Sequence, residues 1–174
     1  MHPFACFGKG VYFYVKCEKM DKTNVMRILD KNKIFYESFE YSPDITEGIV
    51  VAEILGQKYE EVFKTLVTES NTKEHFVFVI PVAKTLDLKI AARTVCVKSI
   101  SMLKQKDLLT LTGYIHGGCS PIGMKKQFKT VFDITAKPLD NFFVSAGKVG
   151  RQIKVNPLTI CNLIKGSFAD ITVK

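Results

Sequence analysis

The residues with the clearest potential for chemistry lie in a glycine-rich segment, residues 113–126, with the sequence GYIHGGCSPIGMKK. Four glycines within eleven residues are costly in chain entropy, so the backbone is expected to adopt positive φ or to approach a ligand closely. A Gly-Gly pair followed by Ser-Pro suits a loop whose N–H groups point at an anion or a carbonyl oxygen. Gly118 and Gly123 have the spacing of a P-loop, but Met124 stands where the lysine is required, which excludes nucleoside triphosphate binding. On composition alone, a structural turn explains the segment equally well.

Two further segments carry polar groups that could meet a ligand. In residues 144–157, a strand ending in Ser145 precedes a small-residue turn with Lys148, which could place a hydroxyl and an ammonium beside a bound molecule. A hairpin with an exposed lysine and arginine is the commoner explanation of that pattern. Lys64 interrupts the apolar strand VFKTLV, with Thr65 beside it. Such a lysine either extends its ammonium to solvent or lines a pocket and binds an anion.

No part of the sequence has the signature of a protein nucleophile. There is no G-x-S-x-G elbow, and Cys119, although close to His116, lacks the local signature of a thiol protease. The five cysteines include no C-x-x-C pair, and the three histidines have no metal-like spacing. We therefore expect reduced thiols in a cytoplasmic protein, with no disulfide framework, metal or cofactor.

The composition predicts one globular domain with an anionic partner. The 174 residues are 47% apolar and 24% charged, a balance that supports one buried core. The net charge of +8 favours a polyanion such as a nucleic acid, although many small proteins are basic without one. No run of 18 apolar residues occurs, so no membrane span is predicted. Residues 1–19 lack a signal-peptide cleavage site and are interpreted as a leader, a tag or a mis-assigned start before Met20.

The periodicity of the apolar residues predicts the elements that must position these groups. Helices are expected over residues 21–33, 47–55, 88–95, 106–111 and 157–165, with caps at Asp21 or Thr23, Thr46, Asp87 and Asn156. Strands are expected over residues 34–41, 62–68, 76–82, 97–102, 129–134, 141–145, 152–155 and 168–173, the second and third joined as a hairpin. Residues 113–123 are expected to form a glycine-rich strand and loop. The strands lack a steady βαβ rhythm, so we predict a single α/β (α+β) domain with a mixed sheet.

Taken together, these segments resemble the YbaK/EbsC family of aminoacyl-tRNA deacylases, relatives of the editing domain inserted in bacterial prolyl-tRNA synthetases. The most specific block is TGYIHGGCSPIGMKK (112–126), and its order relative to KTL makes coincidence remote. The other blocks are KNKI (31–34), Tyr41 with Asp44, EEVFKTLV (60–67), VFVIPV (77–82), LDLKIAA (86–92), SAGKVG (145–150) and FADI (168–171). The resemblance identifies residues 20–174 as a deacylase domain and leaves residues 1–19 outside it as an extension.

The resemblance implies a mixed, partly barrel-like sheet flanked by helices, and hydrolysis of the ester between an amino acid and the terminal ribose of transfer RNA. It implies catalytic roles for Lys64, Tyr41, Gly117 and Ser145. Lys64 and Thr65 would engage the terminal adenosine or its phosphate, and Tyr41 would line the pocket. The Gly117-Gly118 backbone would hold the aminoacyl end, and Ser145 would lie beside it. Substrate-binding roles follow for Thr65, Gly118, Cys119, Ser120, Pro121, Gly123, Ala146, Gly147, Lys148 and Gln152. No side chain is a nucleophile, because the thiol of a cysteinyl substrate would attack its own carbonyl.

The implied substrate is cysteine mischarged on proline transfer RNA, read at its acceptor end, with prolyl-tRNA synthetase as a second partner. Ala146 replaces a glycine of the SGGK version of the motif, and Gln152 stands where some members have aspartate. These departures bear on amino-acid specificity. A deacylase for alanine, serine, threonine or a small non-protein amino acid, and a non-catalytic binder of transfer RNA or the synthetase, are the alternatives.

Overall fold

The computed structural model describes residues 21–173. The predicted extension, residues 1–19, and the proposed start at Met20 lie outside these residues. The α-helices are α1 (Asn24–Lys31), α2 (Gly48–Ile54), α3 (Leu88–Thr94), α4 (Gln105–Thr112) and α5 (Pro157–Leu163). The strands are β1 (Glu37–Glu40), β2 (Phe63–Ser70), β3 (His75–Pro81), β4 (Ile100–Met102), β5 (Lys129–Asp133), β6 (Phe142–Ser145), β7 (Arg151–Val155) and β8 (Ser167–Ala169). One 3-10 turn, Ile134–Ala136, follows β5.

Side-chain caps fix the starts of three helices, as the sequence predicts. Thr23 Oγ1 accepts a hydrogen bond from the N–H of Met26 at 3.3 Å at the start of α1. The Asp87 carboxylate accepts bonds from two N–H groups of α3, and the Asn156 side chain accepts one from the N–H of Thr159 in α5. Each cap satisfies backbone donors that have no partner inside the helix. The predicted cap at Thr46 is wrong, because Glu47 is the N-cap residue of α2 and makes no side-chain capping bond.

The larger sheet has five strands in the order β4-β2-β3-β5-β8. Strands β2 and β3 form the predicted antiparallel hairpin, with Lys64 opposite Ile80 and Thr65 opposite Val79. Strand β5 runs parallel to both β3 and β8, so the sheet is mixed. The central strand β3 is buried along six of its seven residues, as expected for a strand covered on both faces.

The smaller sheet has three antiparallel strands in the order β1-β7-β6. It joins the larger sheet just before β2, where Val62 forms a parallel bridge with Phe143 and the N–H of Phe143 donates to the carbonyl of Glu61 at 2.8 Å. The aromatic rings of Phe63 and Phe142 also meet edge to face, with centroids 5.4 Å apart. The predicted class, one mixed α/β domain, is confirmed, with the strands divided between two connected sheets.

The predicted strand over residues 34–41 is too long, since β1 starts only at Glu37. The N–H of Ile34 donates to the carbonyl of Leu29, and Lys33 has φ of 55°, so these residues still close the end of α1. The last strand is also shorter than predicted: β8 ends at Ala169, and Thr172 forms only a single bridge with Leu86. Within residues 21–173, no helix is both long enough and apolar enough to span a membrane.

Candidate active site

A cavity of about 390 Å³ opens where the two sheets meet. The larger sheet contributes residues at the start of β2, and the smaller sheet contributes the end of β6 and the middle of β7. The remaining walls come from the chain around the start of α2, from α4 and from the glycine loop. The lining residues are Tyr41, Thr46, Glu47, Gly48, Ile49, Val51, Val62, Phe63, Lys64, Thr65, Leu66, Val82, Leu108, His116, Gly117, Cys119, Ser145 and Gln152.

Lys64 places a half-buried ammonium group in this cavity. Its Nζ donates a hydrogen bond to the backbone carbonyl of Val82 at 2.9 Å, which fixes the side chain across the β2–β3 pair. Burial lowers the pKa of Lys64 from its ordinary value, because desolvation disfavours the charged form. No carboxylate within residues 21–173 forms an ion pair with it. A partly desolvated cation without a protein counter-ion is well placed to bind an anionic group of a ligand.

Thr65 brings an unsatisfied hydroxyl to the same wall. Its Oγ1 is buried and has no hydrogen-bond partner among the described residues. A buried polar atom without a partner costs about 1–3 kcal/mol. A ligand hydroxyl or phosphate oxygen that bonded to this group would recover part of that free energy, so Thr65 favours binding of a polar ligand.

The glycine loop, residues 113–123, meets the cavity through Gly117, whose φ is +77°. A Cβ atom at Gly117 would lie 3.0 Å from the side chain of Thr46, so the residue needs both the positive φ and the missing side chain. No hydrogen bond within residues 21–173 engages the N–H of Gly117. The N–H of Gly118, in contrast, donates to the carbonyl of Ile115 at 3.0 Å. Of the predicted pair of backbone donors, only the one from Gly117 is therefore available.

Cys119 lies in the cavity wall but is not an activated nucleophile. Burial raises the pKa of its thiol to about 12, because the thiolate would lose its hydration. The thiolate is the reactive form, so a thiol that stays protonated near neutral pH is a poor nucleophile.

Ser145 ends β6, and its Oγ accepts a hydrogen bond from the N–H of Gly147 at 3.2 Å. Within residues 21–173, neither a histidine nor a lysine side chain is hydrogen-bonded to this hydroxyl, so the structure shows no base positioned to activate it. Ser145 can contact a ligand through its hydroxyl without acting as a nucleophile.

Gln152 supplies a neutral amide to the cavity from the middle of β7 and is 4% exposed. Its Oε1 accepts a hydrogen bond from Nε2 of Gln57 at 2.8 Å, while Oε1 of Gln57 is buried and has no partner among the described residues. The pair fixes the Gln152 amide, which brings no charge to the site.

Tyr41 follows β1 and is tied to the turn before β7. Its N–H donates to the carbonyl of Gly150 at 2.9 Å. Burial raises the pKa of its phenol, and a backbone hydrogen bond with Gly150 partly offsets that rise. The phenol is therefore neutral near physiological pH and can act as a hydrogen-bond donor or acceptor.

The structure brings together seven of the residues predicted for the site: Tyr41, Lys64, Thr65, Gly117, Cys119, Ser145 and Gln152 all line the cavity. The other seven do not line it: Gly118, Ser120, Pro121, Gly123, Ala146, Gly147 and Lys148. Pro121 and Gly123 border a separate cavity of about 210 Å³ beside α1 and α5. Ser120 and Ala146 are fully buried, and Lys148 is exposed in the turn. Their roles in substrate binding remain predictions.

Sequence reasoning did not assign several lining residues to the site: Glu47, Ile49, Val51 and Leu108. The periodicity identified the helices that carry these residues, but it could not indicate which face borders a cavity. His116, predicted only as a loop residue near a ligand, is exposed at the cavity. The described residues contain no group of three or more His, Cys, Asp or Glu side chains that could hold a metal ion.

Comparison with protein-family models relates this geometry to known proteins. The model of the aminoacyl-tRNA editing domain matches residues 43–162, which include all but one of the lining residues. The chain belongs to the aminoacyl-tRNA editing domain family. The resemblance identified in the sequence is therefore confirmed, and so is the prediction of an aminoacyl-tRNA deacylase.

Individual relatives of this editing domain agree with the assignment. A protein of Enterococcus faecalis named “Putative Cys-tRNA(Pro)/Cys-tRNA(Cys) deacylase EbsC” is 45% identical over 161 residues, which cover 91% of this chain and 98% of that protein. The solved structure of the hypothetical protein APE2540 has a TM-score of 0.79 at 18% identity, covering 86% of this chain and 99% of that one. A structure described as “a putative trans-editing enzyme for prolyl tRNA synthetase” has a TM-score of 0.75 at 18% identity, covering 87% and 99%. At this identity the two structures support the fold alone.

Proposed function

We propose that this editing domain removes cysteine from mischarged proline transfer RNA, and that it acts as a free-standing protein. The observation that carries the proposal is the cavity that joins Lys64, Thr65 and Gly117, in which burial keeps the thiol of Cys119 protonated. The name of the 45% identical relative supports the same substrate. The net charge of +8 supports binding of a polyanion at the acceptor end.

The proposed reaction uses the thiol of the substrate. The cysteine sulfur attacks its own ester carbonyl, a C–S bond forms, and the bond from the carbonyl carbon to the ribose oxygen breaks. The thiol proton ends on the ribose hydroxyl, and water then opens the cyclic thioester to give free cysteine. The protein contributes positioning and hydrogen-bond donors rather than a covalent intermediate.

Each cavity residue has a role that fits this chemistry. The Lys64 ammonium binds the phosphate or ribose of the terminal adenosine, and the unsatisfied Thr65 hydroxyl bonds beside it. The free N–H of Gly117 donates to the carbonyl oxygen, on which negative charge develops during attack. Tyr41 and Ser145 complete the polar wall around the aminoacyl end. We further infer that the protein works in the cytoplasm, where transfer RNA is charged, and receives its substrate from prolyl-tRNA synthetase.

The test is deacylation of one transfer RNA carrying different amino acids. Cysteine on proline transfer RNA is expected to leave at least roughly tenfold faster than serine, because the serine hydroxyl is a much weaker nucleophile. 2-Aminobutyrate, in which a methyl group replaces the thiol and the size of the side chain is nearly kept, should stay attached. Faster release of serine or alanine would contradict the thiol mechanism and favour another cargo. Binding without release of any amino acid would favour a non-catalytic binder.

Salt provides a separate test of the contact with the nucleic acid. Affinity for transfer RNA should fall steeply as salt rises, because each lysine that contacts a phosphate releases a counter-ion. Filter binding measures this affinity. An affinity that did not change across the salt range would contradict the proposed phosphate contacts.

A further inference from the structure

The aminoacyl end of a charged transfer RNA carries an amino group next to the ester carbonyl, and no residue named so far binds it. An α-amino group has a pKa of roughly 8, so it is largely positive at neutral pH. The Lys64 ammonium in the same cavity has the same sign and repels it. A site built for this substrate therefore needs an anionic group away from Lys64.

Among the lining residues within 21–173, Glu47 is the one carboxylate. The other candidate acceptors are weaker: Oε1 of Gln152 already accepts a hydrogen bond from Gln57, and the hydroxyl of Thr65 is uncharged. Among the described lining residues, only Glu47 combines an acceptor with a negative charge, so electrostatics favour it as the counter-ion of the substrate amine.

The position of Glu47 also fits the geometry of the ester. The missing Cβ of Gly117 would lie 3.0 Å from the side chain of Thr46, so the glycine loop packs directly against the residue before Glu47. The proposed carbonyl donor, the N–H of Gly117, is thus near the start of α2. In the substrate, the amino group and the carbonyl carbon are attached to the same Cα atom.

Within residues 21–173, the side chain of Glu47 has no hydrogen-bond or ion-pair partner that would compete with a ligand. It is the N-cap residue of α2, but its side chain makes no capping hydrogen bond. No ion pair or hydrogen bond within residues 21–173 engages its carboxylate, and Glu47 is an exposed residue of the cavity lining. We propose that the Glu47 carboxylate binds the α-ammonium group of the aminoacyl ester and thereby sets the preference for an amino acid over an uncharged acyl group. This proposal rests on the proposed function.

The experiment compares two esters of the same transfer RNA. One carries cysteine, and the other carries 2-hydroxy-3-mercaptopropanoate, in which a hydroxyl replaces the ammonium while the thiol remains. The wild-type protein should have the higher kcat/KM on the cysteine ester. Glu47→Gln should reduce that preference roughly two- to fivefold, the range expected for one exposed ion pair. Glu47→Asp, which keeps the charge, should retain part of the preference.

Glu60→Gln is the matched control, because Glu60 is exposed and lies outside the cavity lining. It makes the same change in net charge and should keep the wild-type preference. An unchanged preference in Glu47→Gln, or an equal loss in Glu60→Gln, would overturn the role of Glu47 and leave the proposed function standing. A wild-type protein that hydrolysed neither ester would overturn the proposed function itself, and the role of Glu47 with it.

Discussion

Residues 116–119 and residues 120–123 are neighbours in one glycine loop, but they face different parts of the molecule. In the first group, Gly117 and Cys119 border the cavity. In the second group, Ser120 is fully buried and Ile122 is 1% exposed. The first half therefore supplies surface for a ligand, and the second half anchors the loop in the core.

The hydrogen bonds of the second half show how this anchoring works. The hydroxyl of Tyr114 donates to the carbonyl of Ile122 at 2.6 Å, and the N–H of Ile122 donates to the Ser120 hydroxyl at 3.4 Å. At Gly123, with φ of +74°, a Cβ would lie 2.8 Å from the Ile28 side chain in α1. Part of a motif that identifies a ligand site thus serves to hold the backbone of the site in place.

The difference between the two halves of the glycine loop is most sharply tested at Gly117, which lies in the half that borders the cavity. Gly117→Ala should lower kcat/KM for Cys-tRNA(Pro) on the order of 100-fold, because a displaced backbone misplaces its N–H by a fraction of an ångström or more. The matched control is Gly56→Ala: Gly56 has φ of +63° and no atom within 4 Å of its missing Cβ. Gly56→Ala carries the same strain of about 1–2 kcal/mol but lies outside the cavity lining. Equal activity losses in both variants would contradict the assignment.

The anchoring half should respond in stability rather than in activity. Gly123→Ala combines the strain of positive φ with a contact too close to Ile28, and should lower the free energy of unfolding by about 2–4 kcal/mol. Urea denaturation measures this free energy of unfolding. At a temperature where Gly123→Ala is folded, its kcat should stay within about threefold of the wild-type value. A large loss of kcat in the fully folded variant would place Gly123 in the site.

Cys119 tests whether the cavity-facing half supplies a nucleophile. Cys119→Ala should lower kcat by less than about tenfold, well below the 10²–10⁴-fold contributed by a group that transfers a proton in the transition state. Single-turnover deacylation measures the effect, with Cys96→Ala as the control because Cys96 is exposed and outside the lining. A larger loss would indicate that the thiol of the protein takes part in the chemistry.

The same thiol predicts a small effect of alkaline pH on stability. The pKa of Cys119 is raised to about 12 in the folded protein, so the unfolded chain releases this proton first as pH rises. The stabilising contribution of the protonated Cys119 to the free energy of unfolding is complete below about pH 8.5 and is lost as pH rises towards 12. Thermal unfolding between pH 8 and 10 should therefore show a smaller loss of stability in Cys119→Ala than in wild type. Equal slopes of stability against pH in the two proteins would contradict the raised pKa of Cys119.

The sequence predicted the existence of every α-helix and β-strand but not all of their limits. The strand expected within residues 113–123 was wrong, because the structure has no strand there. Capping side chains such as Asp87 are local signals, so the start of α3 was predictable. The end of α1 depends on the bond from the N–H of Ile34 to Leu29 and on the positive φ of Lys33, neither of which the pattern of residue types shows. Thr46 resembled a cap because of its residue type, whereas its side chain packs against Gly117.

The residue types needed for the chemistry of the site could be predicted, but which of the motif residues border the cavity and which are buried could not. Lys64 and Gly117 lie within distinctive motifs, and both border the cavity. Ser120 and Gly123 lie in the same motif, but their burial depends on Tyr114 and α1, which meet the loop only in the folded chain. Glu47 carries no sequence signal at all, since a glutamate at the start of a helix is ordinarily favoured by the helix dipole alone.

The most direct test of the account is single-turnover deacylation of Cys-tRNA(Pro) by Lys64→Ala. A loss of roughly 100-fold or more is expected, because a partly desolvated charge that orients the substrate disappears. Lys98→Ala, which removes an exposed lysine outside the cavity lining, should keep wild-type activity and shows the effect of net charge alone. A folded Lys64→Ala protein that deacylates within about threefold of the Lys98→Ala control would contradict the placement of the active site in this cavity.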